Sequence, residues 1–329
     1  MDQPDLRHVE LATLFRPMMK RLLRRLGQGL LILAITLALD FVLTATLFSD
    51  LRAGLQKAEA ENWSTYIDTQ PFHHDLIPNK DTARAWGRIV YPWRTDRYGF
   101  RTGACAANDS DRDKPAVFVI GDSFVEAMGS SFEKSFLDLS DIDDDANVYL
   151  ASADGTVMKA PEHETPRYEK APFDLGSFLL SNFTSVRLVH DLFVASTFSH
   201  KMSVGRDRAR WTVDPALMEQ WGRRGLEVVG KNLEKIVALC RAWDCRLTLV
   251  VYPWPDNVVA RDKDGVQVKH WRAWSEKHGV RFIDAFPAFF AEPPAATLEK
   301  YFIAGDVHFT DAGNRLLFEE VKRATAGQW

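Results

Sequence analysis

The sequence has little cysteine and no excess of positive charge. Three cysteines, Cys105, Cys240 and Cys245, are too few to form a disulfide framework in a chain of 329 residues. The formal net charge is −4, whereas a nucleic-acid-binding surface needs a basic patch or stripe. No P-loop, dinucleotide-binding fingerprint or zinc-type spacing of cysteine and histidine is present. We therefore expect no cofactor and no nucleic-acid partner.

Two of the cysteines are close enough in sequence to form a disulfide or to be buried as free thiols. Cys240 ends a helical pattern and Cys245 begins a strand pattern, so their thiols can meet across the turn between them. A disulfide is permitted there if the domain is exported. Two small apolar side chains that are simply buried would explain the same pair.

The apolar run at residues 29–48 is long enough to cross a bilayer. Its twenty residues reach roughly 30 Å as a helix, which is the thickness of the hydrocarbon layer. Asp40 near its centre costs about 3 kcal/mol, and the twelve Leu, Ile, Val and Phe residues of the run outweigh that cost. Asp40 also raises the alternative of a partner helix in the membrane.

The charges that flank this run predict its orientation. Two basic residues, Arg52 and Lys57, follow it closely. Six precede it: Arg7, Arg16, Lys20, Arg21, Arg24 and Arg25. This excess predicts a single-pass protein of the cytoplasmic (inner) membrane, with its N-terminus in the cytoplasm and its domain periplasmic or otherwise extracytoplasmic. A cleaved signal peptide is the weaker alternative, because the leading region is long and no clear small-x-small site follows.

A glycine, an aspartate and a serine that follow an apolar run carry the strongest functional signal. Residues 117–120 predict a buried strand, and Gly121 allows a tight turn after it. Asp122 and Ser123 would then stand at the start of a helix at residues 124–135. A serine there lies beside unpaired backbone N–H groups, which can stabilise an oxyanion next to its hydroxyl. A helix-capping role for Ser123 would explain the same residues.

A second motif near the C-terminus supplies the partners that a nucleophilic serine needs. Asp306 and His308 are two residues apart, so on an extended segment both side chains point the same way. His308 can accept the proton of Ser123, and Asp306 can hold the imidazole in the required tautomer and orientation. Thr310 is expected to cap the helix that follows. An isolated Asp-x-His pair is compatible with surface loop residues, but the order Ser, Asp, His along the chain favours a triad.

With these residues the chain resembles the SGNH/GDSL hydrolase superfamily. It is most similar to the membrane-anchored bacterial branch that includes the SGNH domains of alginate and other exopolysaccharide O-acetyltransferases. The resemblance covers most of residues 75–323. Four segments carry it: residues 95–101, 121–124, 249–255 and 305–308. It implies a three-layer, flavodoxin-like α/β domain with a mainly parallel sheet and a triad of Ser123, His308 and Asp306.

The alternation of strand and helix signals is typical of the same fold class. Strands are expected at residues 117–120, 247–252 and 281–283, and a helix is expected to begin at Asp214 and Pro215. This alternation predicts a three-layer α/β domain with a mainly parallel sheet. Such sheets carry their sites at the carboxyl ends of the strands.

The chain divides into regions of different character. They are a cytoplasmic basic tail (1–28), a transmembrane helix (29–48), a juxtamembrane stalk and edge segment (49–100), and the SGNH-like domain (101–329). Residues 76–101 carry prolines and glycines between aromatic residues and are interpreted as irregular chain. Asp154 and Gly155 predict a hairpin turn between residues 146–152 and 156–159.

The resemblance leaves the oxyanion hole incomplete. The family uses the N–H of the nucleophile, a glycine after the second strand and an asparagine after the third, and the last two have no clear counterpart here. Gly121 and Asp122 would support the nucleophile, and Ser140 or Asn147 would be substitute donors. Three interpretations stay open: a domain that lacks one βα unit, a hole built from other donors, or a non-catalytic descendant. The first is favoured.

Three functions are compatible with these motifs. The resemblance implies a membrane-anchored serine esterase or O-acyltransferase, which passes an acyl group from an ester donor through Ser123 to water or to an extracytoplasmic polysaccharide. Acetyl is the expected acyl group. The second function is a binding or assembly factor in cell-surface polysaccharide export. The third is a metal-dependent hydrolase that uses Asp122, Asp306 and His308 as ligands. The intact serine, aspartate and histidine favour the first function.

Overall fold

A computed structural model describes residues 7–47, 49–67, 75–87, 89–103, 116–135, 147–152, 175–197 and 202–326. These residues form a mixed α/β structure that contains parallel strand pairs and an apolar N-terminal helix, as predicted. The chain separates into two units. One comprises Met1–Ala53 and Tyr168–Phe193, and the other comprises Gly54–Arg167 and Val194–Trp329.

The strands and helices have the following bounds. The strands are β1 Tyr66–Ile67, β2 Asp75–Leu76, β3 Asp81–Trp86, β4 Ile89–Arg94, β5 Ala116–Gly121, β6 Asn147–Ser152, β7 Thr248–Val251 and β8 Arg281–Asp284. The α-helices are Arg7–Thr46, Ser49–Ser64, Leu175–Asn182, Thr184–Ser196, Asp207–Arg210, Pro215–Leu217, Arg223–Ala242, Pro255–Ala260, Val266–His278, Phe286–Phe289, Pro294–Tyr301 and Asp311–Thr325. A 3₁₀ turn spans Phe132–Lys134, and a π turn spans Met218–Gly222.

The first helix contains the predicted membrane span. Its stretch Met19–Thr46 has 28 residues, and the most apolar 18-residue window of that stretch has a mean hydropathy of 2.1 and is 6% buried. By length and composition this stretch can cross a membrane. It begins ten residues before the predicted run of 29–48 and ends two residues earlier.

Residues 76–101 are more regular than predicted. β3 and β4 pair as an antiparallel hairpin, from Asp81 opposite Arg94 to Trp86 opposite Ile89. Gly87 at the turn has φ +58°, a left-handed conformation that glycine adopts easily. The interpretation as irregular chain is therefore wrong. Prolines suggested it, but an edge strand tolerates proline, and β3 and β4 are paired only with each other among the described residues.

β1 and β2 form a short antiparallel pair, and the other four described strands form two parallel pairs. β5 pairs with β6, from Ala116 opposite Asn147 to Gly121 opposite Ser152. β7 pairs with β8, from Thr248 opposite Arg281 onward. Residues 146–152 are predicted as one arm of a hairpin, but in the structure they supply β6, the parallel partner of β5. The turn at Asp154 and Gly155 and the second arm lie outside the described residues.

β5 is less buried than its apolar sequence predicts. Phe118 is 58% exposed and Ile120 is 55% exposed, whereas Val117 and Val119 on the other face are half-buried. Among the described residues β5 pairs only with β6, and the face of β5 that carries Phe118 and Ile120 is more than half exposed. The prediction of a fully buried strand is wrong for that face.

Predicted helix starts are confirmed on both sides of the β7–β8 pair. Asp214 accepts hydrogen bonds from the N–H groups of Ala216 and Leu217, and Pro215 occupies the first turn. Thr310 Oγ1 accepts the N–H of Gly313 at 3.2 Å and caps the helix Asp311–Thr325.

The main core lies beneath the loop that carries Asp306 and His308. Its most buried members are aromatic and aliphatic side chains packed around Phe309. They include Phe124, Phe289, Leu298, Phe302 and Leu317. Phe124 thereby links the turn after β5 to the C-terminal loop, with its ring centroid 5.0 Å from that of Phe309.

Cys240 and Cys245 are free thiols in the structure. The backbone N–H of Cys245 donates to the Cys240 carbonyl at 2.8 Å, so the turn does bring them together. Burial, followed by the hydrogen bond and charge of Cys245, raises the pKa of Cys240 to about 11. Cys245 is exposed, so burial as a small apolar residue does not explain it.

Candidate active site

β5 places the serine at the start of a tight turn. The strand ends at Gly121, and Asp122 and Ser123 follow it at the carboxyl end of the parallel pair. A Cβ atom on Gly121 would lie 2.3 Å from Val125 Cγ2, so any larger residue at this position would have to displace the Val125 side chain. Gly121 therefore supports the turn sterically.

The α-helix predicted at residues 124–135 is absent from that described segment. Consecutive turns and one 3₁₀ turn replace it, and the Glu126 N–H donates to the Asp122 carbonyl at 3.1 Å. Ala127 has φ +58°, which interrupts a right-handed helix. Ser123 consequently lies in a turn and caps no α-helix, so the prediction of a helix start at this position is wrong.

The structure brings the serine, the histidine and the aspartate into one hydrogen-bonded chain. His308 Nε2 lies 2.8 Å from Ser123 Oγ, and His308 Nδ1 lies 2.5 Å from Asp306 Oδ1. The backbone N–H of His308 also donates to Asp306 Oδ1, at 3.0 Å. This geometry differs from the expected extended segment: Gly305 has φ +73°, and the loop turns so that the aspartate folds back onto the histidine.

Two aromatic rings enclose the imidazole. Trp86, at the end of β3, meets His308 edge-on with ring centroids 5.1 Å apart, and Phe124 packs against it at 4.9 Å. His308 is 3% exposed, whereas Ser123 is half-buried. An acyl group can therefore approach the serine while the imidazole stays shielded from water.

Asp306 is held in its charged form. Burial by itself would raise its pKa, but the hydrogen bond and charge of His308, and then the charge of Arg206, outweigh burial and lower the pKa to about 2. Arg206 Nη2 lies 3.1 Å from Asp306 Oδ2. The two carboxylate oxygens thus have separate partners, one on the imidazole and one on the guanidinium.

The segment before Arg206 braces the same loop. Ser203 Oγ donates to the Ile303 carbonyl at 3.1 Å and accepts the Gly305 N–H at 3.1 Å. Arg206 Nη2 also donates to the Gly305 carbonyl at 2.9 Å. These contacts hold the backbone of the loop just before Asp306.

Arg206 and Trp86 are site residues that sequence reasoning missed. Arg206 lies in no recognisable motif and far from Asp306 along the chain. Trp86 lies in the segment that its prolines and glycines mark as irregular chain. Its period-two neighbours, Thr82 and Arg84, could have indicated a strand that ends beside the site.

Arg206→Ala is expected to slow acylation of the serine about tenfold, because a charge-assisted hydrogen bond to Asp306 is lost at a partly exposed position. Arg206→Lys should restore only part of the rate, since one ammonium group does not reproduce the guanidinium contacts to Asp306 and Gly305. Stopped-flow acylation by p-nitrophenyl acetate measures the effect. Arg210→Ala, which removes ion pairs to Asp207 and Asp214, is the matched control. Equal acylation by the Arg206→Ala variant and the wild type would remove Arg206 from the site.

Asp122 stabilises the turn. Its Oδ1 accepts the Phe124 N–H at 3.0 Å, and its carboxylate is hydrogen-bonded by the Tyr252 side chain. Burial and the nearby Asp122 charge raise the pKa of Tyr252 well above its ordinary value. The Tyr252 ring also packs against Phe124, with centroids 5.0 Å apart. The segment after β7 therefore contacts the turn that carries Ser123.

A buried ion pair anchors the turn from the other side. Arg84 of β3 binds the Glu126 carboxylate, and both side chains are 3% exposed or less. Tyr66 donates to the same carboxylate at 2.7 Å, and Arg101 Nε donates to the Glu126 carbonyl at 3.1 Å. Breaking such a pair typically costs about 3–5 kcal/mol, so the network fixes the backbone three residues after Ser123.

Of the two predicted substitute oxyanion donors, the structure describes the position of only one. Ser140 lies outside the described residues. Asn147 is the first residue of β6 and pairs with Ala116, at the amino end of the pair, whereas Gly121 pairs with Ser152 at the other end. Five residues of strand separate Asn147 from the serine end, roughly 17 Å. The register of the pair therefore gives no support to Asn147 as an oxyanion donor at Ser123.

No protein-family model matches this chain, and no curated protein matches it significantly. Its function is therefore inferred from its own residues. Among the described residues, no group of three or more His, Cys, Asp or Glu side chains is arranged to hold a metal ion. Asp122 is engaged by Phe124 and Tyr252, and Asp306 by His308 and Arg206, so the geometry offers no support for the metal-dependent alternative.

Proposed function

We propose that this protein is a membrane-anchored serine esterase or O-acyltransferase of the SGNH type. The observation that carries the proposal is the continuous chain from Ser123 Oγ to His308 Nε2 (2.8 Å) and from His308 Nδ1 to Asp306. A serine that is hydrogen-bonded to a base, with the base oriented by a carboxylate, is the arrangement that nucleophilic acyl transfer requires.

The chemistry assigns one role to each group. Ser123 Oγ attacks the ester carbonyl while His308 Nε2 takes its proton, and the charged Asp306 stabilises the imidazolium. The tetrahedral intermediate collapses, the C–O bond to the leaving alcohol breaks, and His308 returns the proton to that alcohol. Water or a sugar hydroxyl then attacks the acyl–serine ester with His308 as general base, which releases the acid or the transferred ester.

The membrane anchor and the resemblance favour an extracytoplasmic polysaccharide as the acyl acceptor. A stretch that can span a membrane precedes the unit that carries the triad. Basic residues are concentrated before the apolar run at residues 29–48, which favours export of the chain on its C-terminal side. A tethered enzyme suits modification of a polymer at the cell surface better than digestion of a diffusible ester.

Digestion of intact spheroplasts with an added protease should remove the domain and leave a short N-terminal fragment. The reason is that the charge asymmetry places residues beyond the apolar stretch outside the cytoplasm. Immunoblotting against tags at each terminus measures the outcome, and a cytoplasmic protein checks that the spheroplasts are intact. A domain that resists protease until the membrane is dissolved would contradict this orientation.

The direct test of the proposed function is hydrolysis of p-nitrophenyl acetate by the purified full chain in detergent. Wild type should release nitrophenol well above the Ser123→Ala variant, and EDTA should leave the rate unchanged. A rate equal to that of the Ser123→Ala variant in a folded protein would favour the assembly-factor alternative. Loss of activity with EDTA, restored by a divalent metal, would favour the metal-dependent alternative.

The assembly-factor alternative keeps one observation in its favour. Of the two substitute oxyanion donors, Asn147 lies at the wrong end of the β5–β6 pair. Losing one oxyanion donor typically lowers the rate by about 10²–10³-fold. We accordingly expect a slow esterase, whose rate is measured against Ser123→Ala and not against highly active enzymes.

A further inference from the structure

Asp40 of the membrane-spanning stretch has a partner within the same unit of the chain. Asp40 Oδ2 accepts the backbone N–H of Ser185 at 3.0 Å and the Ser185 hydroxyl at 2.6 Å. One turn further, Thr44 Oγ1 lies 2.8 Å from Thr184 Oγ1 and accepts the Thr184 N–H at 3.1 Å. Thr184 and Ser185 open the helix Thr184–Ser196, so these contacts satisfy N–H groups that a helix start leaves unpaired.

These hydrogen bonds fix the position of the helix Thr184–Ser196 along the anchoring helix. Asp40 lies six residues before Thr46, the last residue of the spanning stretch, which corresponds to about 9 Å along the helix axis. Phe41 adds an aromatic contact to Phe183, with ring centroids 5.8 Å apart. The start of the helix Thr184–Ser196 therefore lies about 9 Å inside the end of the spanning stretch, a depth that interfacial helices reach.

The helix Thr184–Ser196 is amphipathic, and four apolar side chains on one of its faces are more than half exposed. Leu188, Val189, Leu192 and Phe193 are 54%, 67%, 63% and 71% exposed. They are separated by one, three or four residues, apart from the five between the first and the last, and so share a face of the helix. The opposite face carries charged and ionisable side chains. These are Arg187, His190 and Asp191, with Asp191 paired to both of the others.

The preceding short helix, Leu175–Asn182, presents the same kind of surface. Leu175 is 59% exposed and Phe178 is 40% exposed. The two helices have 8 and 13 residues, about 12 and 20 Å, and are too short to cross the hydrocarbon layer. They can only enter one leaflet.

We propose that the segment Leu175–Ser196 is a second membrane-contacting element, which lies in the outer leaflet interface beside the anchoring helix with Leu188, Val189, Leu192 and Phe193 against lipid. The occupant of the apolar face is the bilayer itself, because the same segment is hydrogen-bonded to residues inside the spanning stretch. The proposal rests on the membrane anchoring that is part of the proposed function, and it is independent of the acyl chemistry. Asp40 thereby acquires a role as an internal docking residue of the membrane unit.

Site-directed spin labelling of the full chain in liposomes tests the proposal. Cysteines are placed singly at Val189 and Phe193 in a chain whose native cysteines, Cys105, Cys240 and Cys245, are serine. Spin labels at both positions should be relaxed strongly by oxygen and several-fold less by a water-soluble nickel chelate than a label at His190. A label at Leu33 in the anchoring helix is the lipid reference.

Each alternative gives a different pattern. Strong nickel relaxation at positions 189 and 193 would overturn the proposal in favour of a water-exposed face. Weak relaxation by both reagents would overturn it in favour of a protein partner or a second copy. Strong nickel relaxation at Leu33 would show that the predicted anchoring helix is exposed to water, which would overturn this inference. The esterase activity would not be affected by that result and is tested separately.

A second measurement does not depend on the cysteine-free chain. p-Benzoylphenylalanine in place of Phe193, in the otherwise unaltered protein, should form lipid adducts on irradiation in membranes. The same group at His190 should form far fewer adducts. Adducts to protein alone at position 193 would contradict the proposal.

Discussion

His308→Ala is expected to lower the turnover of an activated acetyl ester by at least about 10³-fold. The imidazole is the base 2.8 Å from Ser123 Oγ, and without it the hydroxyl must lose its proton to water. Trp86 and Phe124 enclose the ring, so its removal leaves a small cavity in which added imidazole can bind. Free imidazole should therefore restore part of the rate to the His308→Ala variant and none to the Ser123→Ala variant.

The matched control is His270→Ala, which removes a histidine that packs against Trp271 in the helix Val266–His278. It should keep the wild-type rate. Steady-state nitrophenol release, with circular dichroism to check folding, gives the comparison. If His308→Ala and His270→Ala are equally active, His308 is not the base and the proposed triad is wrong.

Asp306→Asn is expected to lower the same turnover by about 10²–10⁴-fold. The carboxylate accepts the Nδ1 proton of His308 and so leaves Nε2 free to accept the serine proton. An amide in its place can donate to Nδ1, which selects the wrong tautomer, and it carries no charge to stabilise the imidazolium. Asp207→Asn is the matched control, because it makes the same change in a carboxylate that pairs with Arg210 and lies outside the triad. It should keep the wild-type turnover.

The same substitution should change how stability depends on pH. The pKa of Asp306 is depressed to about 2, so its ionised form stabilises the fold above the ordinary carboxyl range, and this contribution is lost as the pH falls from about 4 toward 2. Chemical denaturation at pH 7 and pH 3 should show a smaller acid loss for Asp306→Asn than for the wild type. An identical acid loss in both proteins would mean that the carboxylate is not held as the structure describes.

The local motifs were the most predictable part of the site. Gly121, Ser123, Asp306 and His308 are close in type and order to the set that nucleophilic catalysis requires, and the structure places the last three in contact. The approach of two segments 185 residues apart could be expected only because both carry chemistry that needs the other. Helix caps such as Thr310 were predictable for a similar reason, since a cap depends on its near neighbours.

Features set by tertiary contacts were harder to predict. Phe124 lies in a helix-compatible sequence, yet it turns inward to pack between His308 and Phe309, and Ala127 adopts a left-handed conformation that the sequence does not signal. Arg206 joins the site from a segment without a motif. Whether β6 would pair parallel with β5 or form a hairpin also depended on a partner that its alternation cannot identify.

Asp40 is a residue whose need for a partner is evident from the sequence, whereas the partner itself is not. Asp40 stood out in the sequence because a charge in an apolar run needs a partner. Nothing in the sequence indicated that the partner is Ser185 of the same chain, since a helix start offers N–H groups wherever it occurs. The neighbour that the structure gives Asp40 is the start of a short helix of the same chain, and a separate partner helix in the membrane stays a prediction.

The most direct test of the central claim is the mass of the peptide that contains Ser123 after the full chain is mixed with p-nitrophenyl acetate and quenched with acid. The peptide should gain one acetyl group, located on Ser123 by fragmentation, because the serine Oγ forms the acyl–enzyme ester. The Ser123→Ala variant should gain none, and Asp306→Asn should acquire the group more slowly. A folded wild-type protein whose Ser123 peptide keeps its original mass, with no turnover above the Ser123→Ala control, would contradict the enzymatic account.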